Sequence, residues 1–354
     1  MGEKKPIITQ KLLPKEKLSD LISELNKKFK IYAPVNDNGI VSFNEISNIK
    51  EIYLDYLNSR IPPKNVLFPQ VETIFTYKKQ GKDIQIDENK SIYEKSLIFG
   101  IRPCDARSFT FLKKFFSFGK YKDIYFLERQ KNTMIIGLGC LNPSTTCFCT
   151  SVDGSPFGTE GIDILLTEYK ENFLVEPITK AGEDLIKNIG WLLKVNKNDL
   201  IEIEKLKKKI EESIPKINDI KNIEKKLDKM FDHPYWEEES QGCLGCGTCA
   251  YLCPTCHCFD VSDENKLDGS GRRIRIWDTC QFCLFTQETS GHNPRPTKKQ
   301  RTRQRVYHKF NYYPKNYQLI GCVGCGRCII YCPVNHDIRE IFSEVTKISS
   351  EIEG

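Results

Sequence analysis

Along roughly the first 190 residues, short apolar runs bounded by Gly and Pro alternate with charged stretches of helical period. Ser96 to Ile101, Thr133 to Leu138 and Asn172 to Val175 are the clearest of these runs, and their length and flanking turn residues predict core strands of an α/β unit. From Asn196 to Met230 the pattern changes to alternating Lys, Glu, Asp and Ile. There Ile201, Ile203, Leu206, Ile210, Ile214 and Ile217 recur three or four apart for part of the way. This predicts one or two amphipathic helices, broken near Pro215, that act as a solvated connector. After His233-Pro234-Tyr235-Trp236 the composition shifts to Cys, Gly and Pro, which puts a boundary near residue 232. The expected class is α+β, with a mixed α/β domain over residues 1–190, a helical connector over 191–232 and a mainly helical module over 233–354.

A chain of 354 residues with 39% hydrophobic and 28% charged content can bury a core without covalent staples. It nevertheless carries 16 cysteines, which must be either extracellular disulfides or metal ligands. Met1 to Lys17 has charges but no apolar segment and no small-residue cleavage site, so a cytoplasmic protein with reduced thiols is expected. Apolar stretches such as Met134 to Leu141 are far shorter than the roughly 20 residues needed to cross a bilayer, so no direct membrane insertion is expected.

The cysteines have order. GCLGCGTCAYLCP (242–254) and GCVGCGRCIIYCP (321–333) align without gaps, 79 residues apart. Each carries the C-x2-C-x2-C-x3-C-P spacing, in which one tight loop supplies three thiolates to a [4Fe-4S] cluster and the fourth cysteine ligates the other cluster. Two clusters are therefore expected, one on Cys243, Cys246, Cys249 and Cys332, the other on Cys322, Cys325, Cys328 and Cys253. Gly245, Gly247, Gly324 and Gly326 suit the tight turns. Zinc is the rival, but its sites pair two CxxC units across a finger instead of adding a third and a fourth cysteine in one run. The long insert between the halves, with helix starts at Ala250-Tyr251-Leu252 and Ile329-Ile330-Tyr331, favours a helical two-cluster module.

Eight cysteines remain. Cys104 in GIRPCDAR and Cys140, Cys147 and Cys149 in GLGCLNPSTTCFCT each follow an apolar run, which places them where loops gather ligands at strand ends. Four cysteines from two such loops suit a third [4Fe-4S] cluster; the alternative is buried free thiols. Cys256, Cys258, Cys280 and Cys283 form either another metal site or an inert packed shell, and the shell is the simpler reading. His257 within that group reads as a hydrogen-bonding residue.

Between Glu288 and Asp337 there is no acidic residue, while Arg295, Lys298, Lys299, Arg301, Arg303, Arg305 and Lys309 fall in one stretch. Such a run can bind nucleic acid. Its position between the two cluster motifs favours a different role, as fixed cations that stabilise anionic clusters and offer a face to an acidic partner. A [4Fe-4S] core on four thiolates carries about −2, so two or three clusters bring the formal +6 of the chain near neutrality. No nucleic-acid partner is expected, and no nucleotide fingerprint is present.

Taken together, IYAPV near residue 32, PPK at 62–64, FGIRPCD, the GLGC to CFC segment, HPYW, CLGCGTCAYLCPTCHC, RIWDTCQF, GHNPRPTKKQRTRQR and CVGCGRC resemble a known family. It is the β subunit of cytosolic NiFe hydrogenases with sulfur-reductase activity, the sulfhydrogenases, and the chain is also similar to the iron-sulfur subunit of anaerobic sulfite reductase. The resemblance implies an iron-sulfur subunit that passes electrons between a flavin subunit using NAD(P)H and a catalytic subunit. It implies no complete active site in this chain alone, and it extends over the N-terminal cysteines expected to hold the third cluster. Cys283 departs from the family pattern. The ending CPVNHDIREIF also resembles iron-sulfur subunits of heterodisulfide-reductase-type complexes, which is the alternative assembly. A sulfur-compound reductase acting at its own cluster is a further alternative, and it requires turnover by the isolated chain.

Overall fold

The apolar runs build the middle of an eight-stranded sheet. In the computed structural model, which describes residues 10–353, the strands are β1 (Lys11–Pro14), β2 (Lys30–Asp37), β3 (Ile40–Glu45), β4 (Val71–Gln80), β5 (Asp83–Glu88), β6 (Ser96–Ile101), β7 (Thr133–Leu138), β8 (Ile164–Tyr169), β9 (Asn172–Pro177), β10 (Leu193–Lys194), β11 (Phe259–Asn265) and β12 (Ser270–Trp277). Of the stretch read for a leader, Met1 to residue 9 lies outside the described residues.

The large sheet has the order β10-β1-β9-β8-β7-β6-β2-β3, with β2, β6, β7 and β8 parallel and the outer strands antiparallel. β6 is buried at every position, as a central parallel strand covered on both faces must be. One face packs on Leu21, Ile22 and Leu25 of the helix Leu18–Asn26 and on Ile186. The other packs on Ala106, Phe109 and Leu112 of the helix Pro103–Phe116.

The helix Lys197–Ser213 stops just before Pro215, as predicted, and buries only Ile203 and Ile210. Its face is otherwise solvated. The HPYW segment opens the helix Tyr235–Gln241, and Trp236 lies fully inside a third apolar cluster with Tyr307, Phe310 and Phe342. Each cluster motif contains a single helical turn, Thr248–Tyr251 or Arg327–Ile330. The triplets expected to start helices are instead where those turns end. Gly247 and Gly326, both in the left-handed region, open the turns, and the following Cys-Pro closes them.

The insert between the motifs also holds the hairpin β11–β12, which was not expected in a mainly helical module. It pairs with the N-terminal hairpin β4–β5 in an antiparallel sheet ordered β11-β12-β4-β5. The join is fixed by buried Arg275 of β12, which binds Glu72 of β4 and Asp123, while Arg129 takes the other oxygen of Glu72 at 2.5 Å.

Candidate iron-sulfur sites

Two neighbouring parallel strands end at cysteines. β6 runs into Arg102-Pro103-Cys104 and β7 into Gly139-Cys140, so both thiols stand at the carboxyl edge of the sheet, where open α/β sheets bind their ligands. The loop after β7 folds back to add Cys147 and Cys149. All four line one small cavity, together with Asn58, Arg102, Ile214 and Cys325. Burial pushes the Cys147 and Cys149 thiols up to about 12, and Cys104 and Cys140 also rise, chiefly through burial. Such thiols become thiolates when a metal displaces their protons. Arg102 is the charge in the wall. Its guanidinium stacks 4.4 Å from the Tyr56 ring and donates to Gly139 O at 2.9 Å, yet it has no carboxylate partner among the described residues and its Nε has no acceptor. A buried cation without a counter-ion fits a site for an anionic cluster.

The C-terminal motifs gather in the crossed pattern. Cys243, Cys246, Cys249 and Cys332 line one small cavity with Leu244, Arg305, Val334 and His336. Cys253 sits among Cys322, Cys325 and Cys328, whose thiols are all raised by burial. Backbone amides point at the sulfurs: Gly245 N donates to Cys243 Sγ and Gly324 N to Cys322 Sγ, both at 3.4 Å, and His336 N donates to Cys332 Sγ at 3.2 Å. These are the sulfur-directed hydrogen bonds an Fe–S ligand loop supplies.

The second motif is pressed against the N-terminal cysteine loop. Phe148 N donates to Gly324 O at 2.9 Å and Asn58 Nδ2 to Cys325 O at 2.9 Å. A Cβ on Gly324 would lie 2.6 Å from Cys149 Cα, so glycine is required for this approach as well as for its φ of +65°. A fully buried ion pair clamps the same joint. Arg327, inside the motif, binds both oxygens of Asp105 at 2.6 and 2.7 Å and donates to Ser59 O at 2.7 Å.

The basic stretch divides by helical phase. On the helix Lys298–Tyr307 and its π-helical extension His308–Tyr312, Arg301, Arg305 and Lys309 recur every fourth residue and are buried. Arg305 lies by Cys249, Cys328, Cys256 and Cys253, and Lys309 Nζ donates to Cys253 Sγ at 3.3 Å. Arg305 and Lys309 face the cysteines and Arg301 donates to Arg295 O and Pro296 O, while Lys298 and Lys299 remain outside. The four-residue spacing was present in the sequence and would have separated the two sets. Cys256, Cys258 and Cys280 line a further cavity, and Cys283 is exposed outside it.

Residues 242–336 match the model of a family described as a 4Fe-4S dicluster domain. The protein therefore carries two [4Fe-4S] clusters, and the thiol-lined cavities, amide donors and unpaired cations fit them. Over 334 residues the chain is 30% identical to the sulfhydrogenase 2 subunit beta of Pyrococcus furiosus, covering 94% of this chain and 97% of that one. The chain belongs to the sulfhydrogenase β-subunit family. No solved structure matches it. As in the expectation from its motifs, this sulfhydrogenase β-type chain is an iron-sulfur electron-transfer subunit of α+β fold. None of its described helices is long and apolar enough to cross a membrane.

Proposed function

We propose that this subunit relays electrons between a flavin subunit that uses NAD(P)H and a catalytic hydrogenase or sulfur-reducing subunit, in the cytoplasm. It would do so through one [4Fe-4S] cluster on Cys243, Cys246, Cys249 and Cys332, a second on Cys322, Cys325, Cys328 and Cys253, and a third on Cys104, Cys140, Cys147 and Cys149. The clusters supply one-electron storage and transfer when bound. The observation that carries the reading is adjacency. Cys325 belongs to the second set and also lines the cavity of the third, and Arg305 touches the surroundings of both C-terminal sets. The protein's own residues order this path. Arg327, Asp105 and Gly324 fix the joint, and Phe148 and Ile214 keep it dry. At the other end Cys246 is exposed, and Leu244 and Val334 present apolar surface beside it. A redox partner docks at such an edge.

The test is a Cys147→Ser, Cys149→Ser double variant in the assembled complex. It should lose about four irons and four sulfides and nearly all NAD(P)H-linked turnover, while each partner's reaction with artificial dyes persists. Unchanged linked turnover, or reduction of a sulfur compound by the purified chain alone, would contradict the relay.

A further inference from the structure

The hairpin β11–β12 has a use that the two-cluster motifs do not explain. Its open end lies directly after the first motif, and the antiparallel register Phe259↔Trp277 brings the chain on either side of it together. Asp278 N donates to Cys258 O at 3.0 Å across that end. Cys256, His257 and Cys258 all line one cavity; the His257 ring stacks on Phe115 with ring centroids 3.6 Å apart, and its Nδ1 lies 3.2 Å from Thr255 O. Cys280, three residues after β12, completes the group, and its thiol touches that of Cys258.

These three thiols line a small cavity of their own, as the two other cysteine sets do. Its other walls are Thr255, His257, Arg305, His308, Lys309, Tyr313 and Gly321. Three buried cations converge here: Arg305 and Lys309 in the wall, and Lys64, whose Nζ donates to Cys253 O and Cys256 O, both at 2.8 Å. Among the described residues none has a carboxylate partner, and Arg305 Nε has no acceptor. Arg305 is shared with the Cys243 cavity, while Lys64 and Lys309 both lie beside Cys256. His308 begins the π-helical turn, a distortion that recurs at functional sites. Its ring lines the cavity and makes no hydrogen bond among the described residues.

We propose that Cys256, Cys258 and Cys280, with the His308 imidazole as the fourth ligand, hold a further iron-sulfur cluster beside the two of the dicluster domain. Cys283 takes no part. The site sits where Arg305 joins both dicluster cavities, so the hairpin serves to deliver three thiols to that junction.

The experiment uses the full chain purified without air. A Cys258→Ser, Cys280→Ser double variant should lose about four irons and four sulfides and keep the EPR signals of the reduced dicluster domain. This loss is separate from that of the Cys147, Cys149 variant, so either site can fail alone. Wild-type protein, reduced and examined by pulsed EPR, should show a histidine nitrogen coupled to one cluster, and His308→Gln should abolish it. Full iron retention in the double variant, or loss of one zinc instead of iron, overturns the proposal. If that variant does not fold, the wild-type spectrum decides, and absence of the nitrogen coupling overturns it.

Discussion

At the scale of single residues, the chain handles buried charge in two ways. Arg327 and Asp105 are both fully buried and answer each other with two short hydrogen bonds. Removing one partner strands the other in low dielectric, which costs roughly 3–5 kcal/mol, whereas breaking an exposed, solvent-screened pair such as Arg273–Asp263 costs far less. Asp105→Ala should therefore shift the denaturant midpoint far more than Asp263→Ala, and equal shifts would show that the buried pair contributes no more than a surface one. Lys309 is the other kind, a cation 3.3 Å from Cys253 Sγ with no carboxylate partner among the described residues. Its charge favours whichever cluster state is more negative, the reduced one. Lys309→Met should make a dicluster potential more negative by on the order of 100 mV. An EPR-monitored redox titration reads this, and an unchanged potential would mean that solvent already screens the site.

At the scale of elements, the legible parts were those whose pattern is local. SLIFGI and TMIIGL carry dense apolar runs because β6 and β7 are covered on both faces, and their bounds were read correctly as 96–101 and 133–138. The helix ending before Pro215 was legible for the same reason. The hairpins β4–β5 and β11–β12 were not, since β5 is exposed along its whole length and β11 along all but one residue, which leaves no apolar signature. The alternation in RRIRIW was the available signal, and it was masked because one inward position is Arg275, held by distant Glu72 and Asp123. The two C-terminal motifs were legible from spacing and the N-terminal cysteines only from their place after apolar runs, and the contact between these segments was not legible at all. The contact of the second motif with the N-terminal loop depends on Gly324, whose Cβ would press on Cys149 backbone atoms at 2.6 Å. Gly324→Ala should therefore lower occupancy of the N-terminal site, read as iron lost per chain. Gly242→Ala, where a Cβ meets nothing within 4 Å, should leave it unchanged.

At the scale of the whole molecule, the two halves differ in what holds them together. The large sheet buries an apolar core of Leu, Ile, Phe and Val side chains, including Leu97, Phe99, Ile136 and Leu166, that needs nothing but itself. The C-terminal module has its own apolar cluster around Trp236, Phe310 and Phe342, but it also buries Lys64 of the first half with Arg305 and Lys309 among its thiols. With clusters bound these cations face anions. Without them each is an uncompensated buried charge costing several kcal/mol, and three together rival the roughly 5–15 kcal/mol that stabilises a whole domain. Removal of iron by anaerobic chelation should then unfold the chain in stages. Hydrogen exchange should accelerate across residues 233–345, including the buried helix Lys298–Tyr307, while β6, β7 and β8 stay protected. Equal loss of protection in both halves would mean that the Arg327–Asp105 joint couples them into one cooperative unit. Unchanged protection everywhere would mean that water reaches the emptied cavities and solvates the three cations at little cost.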